Sequence, residues 1–175
     1  MRKHFLAAFV VLVCVLPVFA QQLKWTPFRS AEFKFAVVFP NEPVKDDPVL
    51  DKRTDGSVAS TTFMFTASAP GVYASIAGGT DYNFTVDAER ELLASRDNFV
   101  KGLSAKLVSS RRFDFQSADG KLPAISFSLE SEVWLGKAII IVKGNRGYMA
   151  AFVYQKGRDY AGAADKFLAS FKITR

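Results

Sequence analysis

The chain contains one cysteine, Cys14, and one histidine, His4, and both lie within the first 20 residues. If those residues are removed by processing, the remaining chain cannot form a disulfide and lacks the side chains that most zinc, copper and iron–sulfur sites require. Its fold must therefore be stabilised by an apolar core. The chain has the residues for one, because 49% of it is hydrophobic and 17 residues are phenylalanine.

Residues 1–20 have the pattern of a cleavable signal peptide. Two basic residues precede an apolar run, Phe5–Leu16, that is too short to cross a bilayer as a stable helix. Val18-Phe19-Ala20 then places small residues at the two positions that a signal peptidase reads. We expect cleavage after Ala20, which leaves residues 21–175 as a single exported domain without a transmembrane segment. Its expected location is periplasmic or extracellular, in a bacterial host.

The expected mature chain is mildly basic. It keeps 155 residues, with 21 Lys and Arg against 17 Asp and Glu, so its net charge is +4. A charge of this size suits weak attraction to anionic lipid or to an acidic partner, and it does not indicate nucleic-acid binding. We therefore expect the partner to be a protein or another envelope component, and not a nucleic acid.

Apolar alternation predicts about seven strands and two amphipathic helices. Residues 40–56 are polar and proline-rich and predict a long loop, Gly78-Gly79 predicts a bulge or turn, and Gly144–Gly147 predicts a tight hairpin. Strands in runs with segregated helices are typical of an α+β fold. The expected architecture is an antiparallel sheet of six to seven strands flanked by the two helices, an α/β/α sandwich. The predicted strands cover 32–39, 58–67, 72–77, 107–115, 125–129, 138–142 and 148–154, and the predicted helices cover 86–103, with Thr85 as its cap, and 159–171.

The sequence lacks the motifs of the common enzyme classes. It has no Gly-x-Ser-x-Gly, no Ser-x-x-Lys, no phosphate-binding P-loop and no dinucleotide-binding fingerprint. Without histidine or cysteine, the usual nucleophile–base pairs are excluded from the expected mature chain. Carboxylate chemistry of the kind used by glycosidases is what remains. We expect no catalytic residue and no cofactor, and so no enzyme.

One segment begins like a calcium-binding loop. Asp51 to Gly56 has acidic residues at its first and fifth positions, but Arg53 stands where an oxygen ligand is required and Thr62 replaces the final glutamate. The segment is therefore predicted to be a solvated turn, with no metal bound. If an all-oxygen metal site did exist, its ligands would come from Asp46, Asp47, Asp51 and Asp55.

Trp134 and Lys137 are the candidate partner-binding residues. The stretch Glu132–Gly136 is predicted to be a turn between two strands, and it places the large aromatic side chain of Trp134 close to the cation Lys137. Such residues are enriched at the energetic centres of protein interfaces. The alternative is that Trp134 covers the edge of the core and matters for stability alone.

Two stretches together resemble the PsbP-like family, the extrinsic photosystem subunit and its bacterial relatives. The resemblance implies an antiparallel sheet flanked by helices and a role as a non-catalytic accessory of larger assemblies. The chain departs from the photosystem subunit because it has no long arm between signal and domain and no histidine with which to ligate a metal. The resemblance is carried by Trp25, Phe28, Ser30, Glu32, Phe33, Phe35, Val37, Phe39, Pro40 and Pro43 in the first stretch, and by Gly147, Tyr148 and Phe167–Phe171 in the second.

These observations favour an exported, non-enzymatic binding or accessory domain that acts through protein–protein contacts. One alternative is a carrier of a small apolar ligand, for which the many phenylalanines and a gap beside Gly78-Gly79 would provide the space. A buried pocket of roughly 300 Å³ or more would favour the carrier, and a filled core would count against it. The other alternative is a carboxylate-dependent hydrolase, which needs two acids about 5–9 Å apart in a cleft.

Overall fold

The structure is a computed structural model that describes residues 23–175. The predicted signal peptide, residues 1–20, lies outside this range. Eleven strands and two helices occur between residues 23 and 175. In chain order they are β1 Thr26–Ser30, β2 Phe35–Phe39, β3 Val44–Lys45, β4 Val49–Lys52, β5 Val58–Ala69, β6 Tyr73–Tyr82, α1 Ala88–Gly102, β7 Lys106–Ser117, β8 Gly120–Glu130, β9 Trp134–Lys143, β10 Arg146–Gln155, α2 Ala161–Ser170 and β11 Lys172–Ile173.

The strands form one large and one small antiparallel sheet. The order in the large sheet is β3-β5-β6-β10-β9-β8-β7, and β4 also pairs with β5 beside β3. The small sheet has the order β1-β2-β11, so that the last strand of the chain pairs with the second. Every strand pair in both sheets is antiparallel. The described chain is therefore built mainly from antiparallel hairpins, in which consecutive strands pair with each other.

Both faces of the large sheet contribute to a core. Successive residues of a strand point to opposite faces, so Ala151 of β10 faces α1 while Phe152 faces α2 and the small sheet. The α1 side buries Leu92 of the helix against Phe127 of β8 and its neighbours. The α2 side holds the larger core, which is dominated by phenylalanine.

Stacked aromatic rings fill the α2 side. The rings of Phe33 and Phe63 stack with their centroids 3.6 Å apart, and those of Phe35 and Phe171 stack at 5.6 Å. Phe167 of α2 is fully buried and its ring packs edge-on against that of Phe152 at 6.0 Å. Full burial of each such side chain contributes roughly 1.5–3 kcal/mol to the free energy of unfolding. Residues 23–175 contain no cysteine, so this apolar burial takes the place of disulfides in stabilising the fold.

Two predicted turns have different outcomes. The hairpin at Gly144–Gly147 is confirmed: β9 and β10 are joined through Gly144 and Asn145, and Gly144 has a φ of 58°. The predicted bulge or turn at Gly78-Gly79 is wrong, because both residues lie inside β6 in regular pairing with β5 and β10. These glycines let neighbouring backbones approach closely.

The expected α+β class is wrong. Strands make up 54% and helices 16% of the described residues, so the domain is mostly β, with an eight-stranded sheet, a three-stranded sheet and only two helices. The expectation failed because β3 and β4 lie within the predicted loop, β1 is a short strand that pairs with β2, and the two-residue β11 pairs with β2 far away in the chain. Six of the seven predicted strands are also longer than their apolar alternation suggested, and the seventh, β2, is shorter.

The first helix begins later than predicted. Its N-cap is Asp87, whose carboxylate accepts a hydrogen bond from the backbone N–H of Arg90 at 3.1 Å, so the predicted cap at Thr85 is wrong. Asp is preferred over Thr at the N-cap of helices. The exact start matters for the site, since it sets which residues of α1 face the sheet.

Candidate functional site

Helix α1 covers only part of its side of the large sheet. It lies across β7, β8 and β9, and the same side of β5 and β6 has no helix above it. Between the helix and this open region lies a cleft of about 390 Å³, which we call the α1 cleft. The described residues that line it are Ser60, Thr62, Met64, Gly79, Thr80, Tyr82, Glu91, Ala94, Ser95, Asn98, Phe99, Ile140, Gly147, Tyr148 and Met149.

Strand register places hydroxyl groups in a row on the cleft floor. Thr62 of β5 is the direct partner of Thr80 of β6, and their hydroxyl oxygens are 2.9 Å apart. Ser60 is likewise the partner of Tyr82. On this side β5 presents Ser60, Thr62 and Met64, whereas Phe63 and Phe65 point into the core on the other side. A strand in the middle of a sheet therefore presents a hydroxyl-bearing face that no helix covers.

Glu91 of α1 is held by two hydroxyl groups. The phenol of Tyr82 donates a hydrogen bond to Oε1 of Glu91 at 2.5 Å, and the hydroxyl of Ser95, one turn along the helix, donates to the same oxygen. Burial, followed by the hydrogen bond and the charge of Glu91, raises the pKa of Tyr82 above its ordinary value. Tyr82 is therefore a stable proton donor at neutral pH, and Glu91 is fixed in orientation by its two donors.

Glycines bring the strands under the cleft unusually close. A Cβ atom at Gly79 would lie 2.0 Å from the carbonyl oxygen of Gly147, and one at Gly78 would lie 2.1 Å from that of Phe63. The colliding atoms belong to backbone, which cannot rotate away as a side chain can. These two positions therefore accept glycine alone, and the floor of the cleft depends on them.

The cleft combines polar and apolar surface in a way that suits binding. Glu91 is the one charged side chain among the described residues that line it, and Met64, Phe99, Ile140 and Met149 supply apolar area. A glycosidase mechanism needs a second carboxylate on the opposite side of the bond to be cleaved, and the lining contains none. The chemistry that this arrangement offers is hydrogen bonding and charge recognition.

The structure separates the two predicted partner-binding residues. Trp134 is the first residue of β9, not a turn residue, and its backbone N–H donates to Oγ of Ser131 at 3.0 Å. Lys137 lies three residues further along the same strand, so the two side chains are on opposite faces of the sheet. Lys137 pairs with Asp165 of α2 at 2.6 Å, on the side away from α1. The structure thus does not bring the pair together, and partner binding at either residue stays a prediction.

The calcium-like segment forms the connection from β4 to β5. Asp55 accepts hydrogen bonds from the backbone N–H and the hydroxyl of Ser57, at 2.8 and 2.7 Å, and these bonds lower the pKa of Asp55. Both donors come from the turn itself, which is how a solvated Asp turn is commonly closed. Between residues 23 and 175 no group of three or more acidic, cysteine or histidine side chains is placed to hold a metal ion.

Sequence reasoning did not single out Glu91, Tyr82 or Ser95. A usable signal was present, because Glu91 and Ser95 are four residues apart on a predicted helix and so lie on one face. The contribution of Tyr82 depends on how α1 packs beside the end of β6, where Tyr82 reaches Glu91, and no local pattern shows that packing.

Neither described helix is long and apolar enough to cross a membrane. Comparison of the sequence with models of protein families gives no match, and comparison with curated proteins gives none either.

Proposed function

We propose that this chain is an exported, non-catalytic binding domain whose ligand occupies the α1 cleft. The observation that carries the proposal is the cleft itself, a space of about 390 Å³ between a helix and an uncovered sheet face. Pockets for small ligands begin at about 300 Å³ and combine apolar walls with a few placed polar groups. The row of hydroxyls and the oriented Glu91 are polar groups of that kind.

The two alternative functions fit the cleft less well. A wholly apolar ligand would displace water from Oε2 of Glu91, which accepts no hydrogen bond from the described side chains, and an unpaired buried polar group costs about 1–3 kcal/mol, and more when it is charged. A carboxylate-dependent hydrolase would need a second acid beside Glu91. A polar small ligand satisfies both the hydroxyls and the carboxylate, so it is the occupant that we favour.

An accessory role in a larger assembly is compatible with ligand binding. The resemblance to the PsbP-like family suggests such a role, and we keep it as part of the proposal. Separate surfaces would serve the two tasks, because Lys137 and Asp165 lie on the side of the sheet opposite to the cleft. The domain would then bind its ligand in the α1 cleft while the opposite side of the sheet contacts the larger assembly.

Blocking the cleft tests the binding proposal. Ala94 lines the cleft on the exposed side of α1, so Ala94→Trp places a large ring in the cleft without disturbing the core. Leu93 is also exposed on α1 but is not among the lining residues, and Leu93→Trp is the matched control.

The measurement is native mass spectrometry of the mature protein after incubation with a small-molecule extract of the cell envelope. We expect an adduct on the native protein and on Leu93→Trp, and its loss on Ala94→Trp. The proposal is wrong if the adduct is equally abundant on both variants, or if no adduct forms on the native protein.

Export is tested separately, by N-terminal analysis of the secreted product. We expect the mature chain to begin at Gln21, because Ala20 is the residue that the signal peptidase would cleave after. A chain that keeps Met1, or one that carries lipid at Cys14, would contradict the proposed processing.

A further inference from the structure

We propose that the ligand of the α1 cleft is a small organic cation, whose ammonium group contacts Glu91. The inference rests on the proposed function and specifies the class of ligand. Its basis is that Glu91 is the one charged side chain among the described residues that line the cleft. A cleft with one carboxylate and no cation repels anions and attracts a positive group.

Glu91 differs from the other acidic residues of its helix. Glu89 forms an ion pair with Arg112 of β7 at 2.6 Å, and Asp97 forms one with Arg96 at 2.7 Å. Glu91 forms no ion pair with any residue of the described range, and its partners are the neutral hydroxyls of Tyr82 and Ser95. Its negative charge is therefore oriented by the protein but is not neutralised by it.

The two hydroxyl donors leave half of the carboxylate available. Both donate to Oε1, and Oε2 accepts no hydrogen bond from the described side chains. An ammonium group has donors or polarised methyl groups but no acceptor, so it matches an oxygen that still has free lone pairs. Charge-assisted contacts of this kind are roughly twice as strong as neutral hydrogen bonds.

The rest of the lining suits the substituents of such a cation. Phe99 and Tyr82 offer aromatic rings, which attract ammonium groups through their negative faces. Met64 and Met149 are unbranched and polarisable, and they adapt to alkyl or aromatic substituents. The hydroxyls of Thr62 and Thr80 can bind a polar end of the ligand. A neutral sugar would use the hydroxyls but would gain little from the charge of Glu91.

The test compares charged probes with a neutral one on the mature protein. The probes are tetramethylammonium, choline and phenethylamine, and the neutral comparison is dimethylbutanol, in which a carbon atom replaces the nitrogen of choline. Glucose represents neutral polyols. Binding is followed by amide chemical-shift changes in NMR titrations at millimolar concentrations, which also report where each probe lies.

Glu91→Gln is the decisive variant, because it removes the charge and keeps an oxygen for the two hydroxyl donors. Glu89→Gln, on the same helix but outside the cleft lining, is its matched control. For the cation that binds most tightly we expect Glu91→Gln to weaken binding about tenfold or more, because the variant removes the negative charge that attracts the ammonium group. Glu89→Gln should stay within about twofold of the native protein, since distant exposed charges are largely screened.

The outcomes separate this inference from the proposed function. Shifts confined to the cleft with a cation, absent with dimethylbutanol and lost in Glu91→Gln, support both. Equal binding of dimethylbutanol, or binding of glucose alone, overturns the cationic class and leaves the binding site in place. If no probe causes shifts in the cleft, the cationic class is overturned, while the blocking experiment with Ala94→Trp still decides the proposed function.

If Glu91→Gln does not fold, the salt dependence of binding by the native protein replaces it as the test. The affinity for the cation must fall as ionic strength rises, and a constant affinity overturns the inference.

Discussion

Arg146 and Asp81 lie directly opposite each other on β10 and β6, and their side chains form a two-pronged ion pair. Nη2 of Arg146 donates to Oδ2 of Asp81 at 2.7 Å, and Nε donates to Oδ1. The remaining Nη1 donates to the carbonyl oxygen of Phe33 at 3.2 Å. The guanidinium also lies 5.5 Å from the ring centroid of Phe63. One side chain thus ties the segment between β1 and β2 to the large sheet.

Removal of this side chain should weaken the attachment of the small sheet. For Arg146→Ala we expect a loss of about 1–3 kcal/mol of unfolding free energy, because ring contacts and a two-pronged pair are lost together. Arg146→Lys keeps the charge but not the planar fork, so it should recover only part of the loss. Urea denaturation measures both variants. Equal stability of Arg146→Ala and the native protein would show that the pair is not a structural link.

Gly79 should not tolerate a side chain. Gly79→Ala would place a Cβ 2.0 Å from the carbonyl oxygen of Gly147, and the two strands would have to separate. Forced overpacking of this kind costs typically about 1–3 kcal/mol, and we expect the upper part of that range here.

The matched control is Gly162, inside α2, where an added Cβ meets no atom within 4 Å. Gly162→Ala should stabilise the protein by up to about 0.5 kcal/mol, because alanine favours helix and Gly162 lies in the first turn of α2, where this preference counts for less than in a helix interior. Thermal unfolding of the two variants should therefore shift in opposite directions. A Gly79→Ala protein that melts at or above the native temperature would contradict the close approach of β6 and β10.

Tyr82 should make the domain sensitive to alkaline pH. Burial raises the pKa of Tyr82 in the folded state, whereas the unfolded chain has the ordinary value of about 10. The unfolded state therefore loses its proton first, and the stability that Tyr82 contributes is complete below pH about 10 and falls as pH rises above that value.

Tyr82→Phe removes the ionisable group while keeping the ring. We expect a flatter dependence of unfolding free energy on pH in the variant than in the native protein above pH about 10, with a small constant loss from the missing hydrogen bond to Glu91. Denaturant unfolding at a series of pH values measures the slope. An identical alkaline slope in the two proteins would show that Tyr82 ionises as freely when folded as when unfolded.

Local patterns predicted the long elements and not the short ones. The terminal helix was visible because Ala164, Phe167 and Phe171 recur on one face, and all three are buried. β11 has only two residues, and it exists because Ile173 pairs with Phe35, far away in the chain. Short strands are stabilised by such long-range pairs, so no local window shows them. This is why a mostly β domain was expected to be α+β.

The candidate site was missed for a related reason. Tyr82 and Glu91 are nine residues apart and meet because α1 turns back over the sheet. Trp134 and Lys137 form one predicted site because a large aromatic and a cation stand close together in a stretch predicted to be a turn, and that stretch contains Gly136. Gly136 instead lies inside β9, where a Cβ would be 2.9 Å from Cδ1 of Leu129. Gly136 allows β9 to pack closely against β8. The strand continues through Gly136, and because successive side chains alternate between the two faces, Trp134 and Lys137 lie on opposite faces.

Trp134 and Lys137 should therefore act independently. Trp134 is half-buried at the start of β9, and Trp134→Ala should cost about 1–2 kcal/mol, less than the truncation of a fully buried aromatic residue. The ion pair of Lys137 with Asp165 is largely solvated, so Lys137→Ala should cost less than about 1 kcal/mol.

The double variant tests whether one surface includes both residues. Side chains on opposite faces of a central strand share no partner, so the two losses should add to within about 0.5 kcal/mol in urea denaturation. The same independence should hold for any partner protein, because a surface that contacts Trp134 cannot reach Lys137 through the sheet. A partner whose affinity falls with each single change, and falls no further in the double variant, would require both side chains to contribute to one contact. That result would mean that the face assignment of β9 is wrong at its first residues.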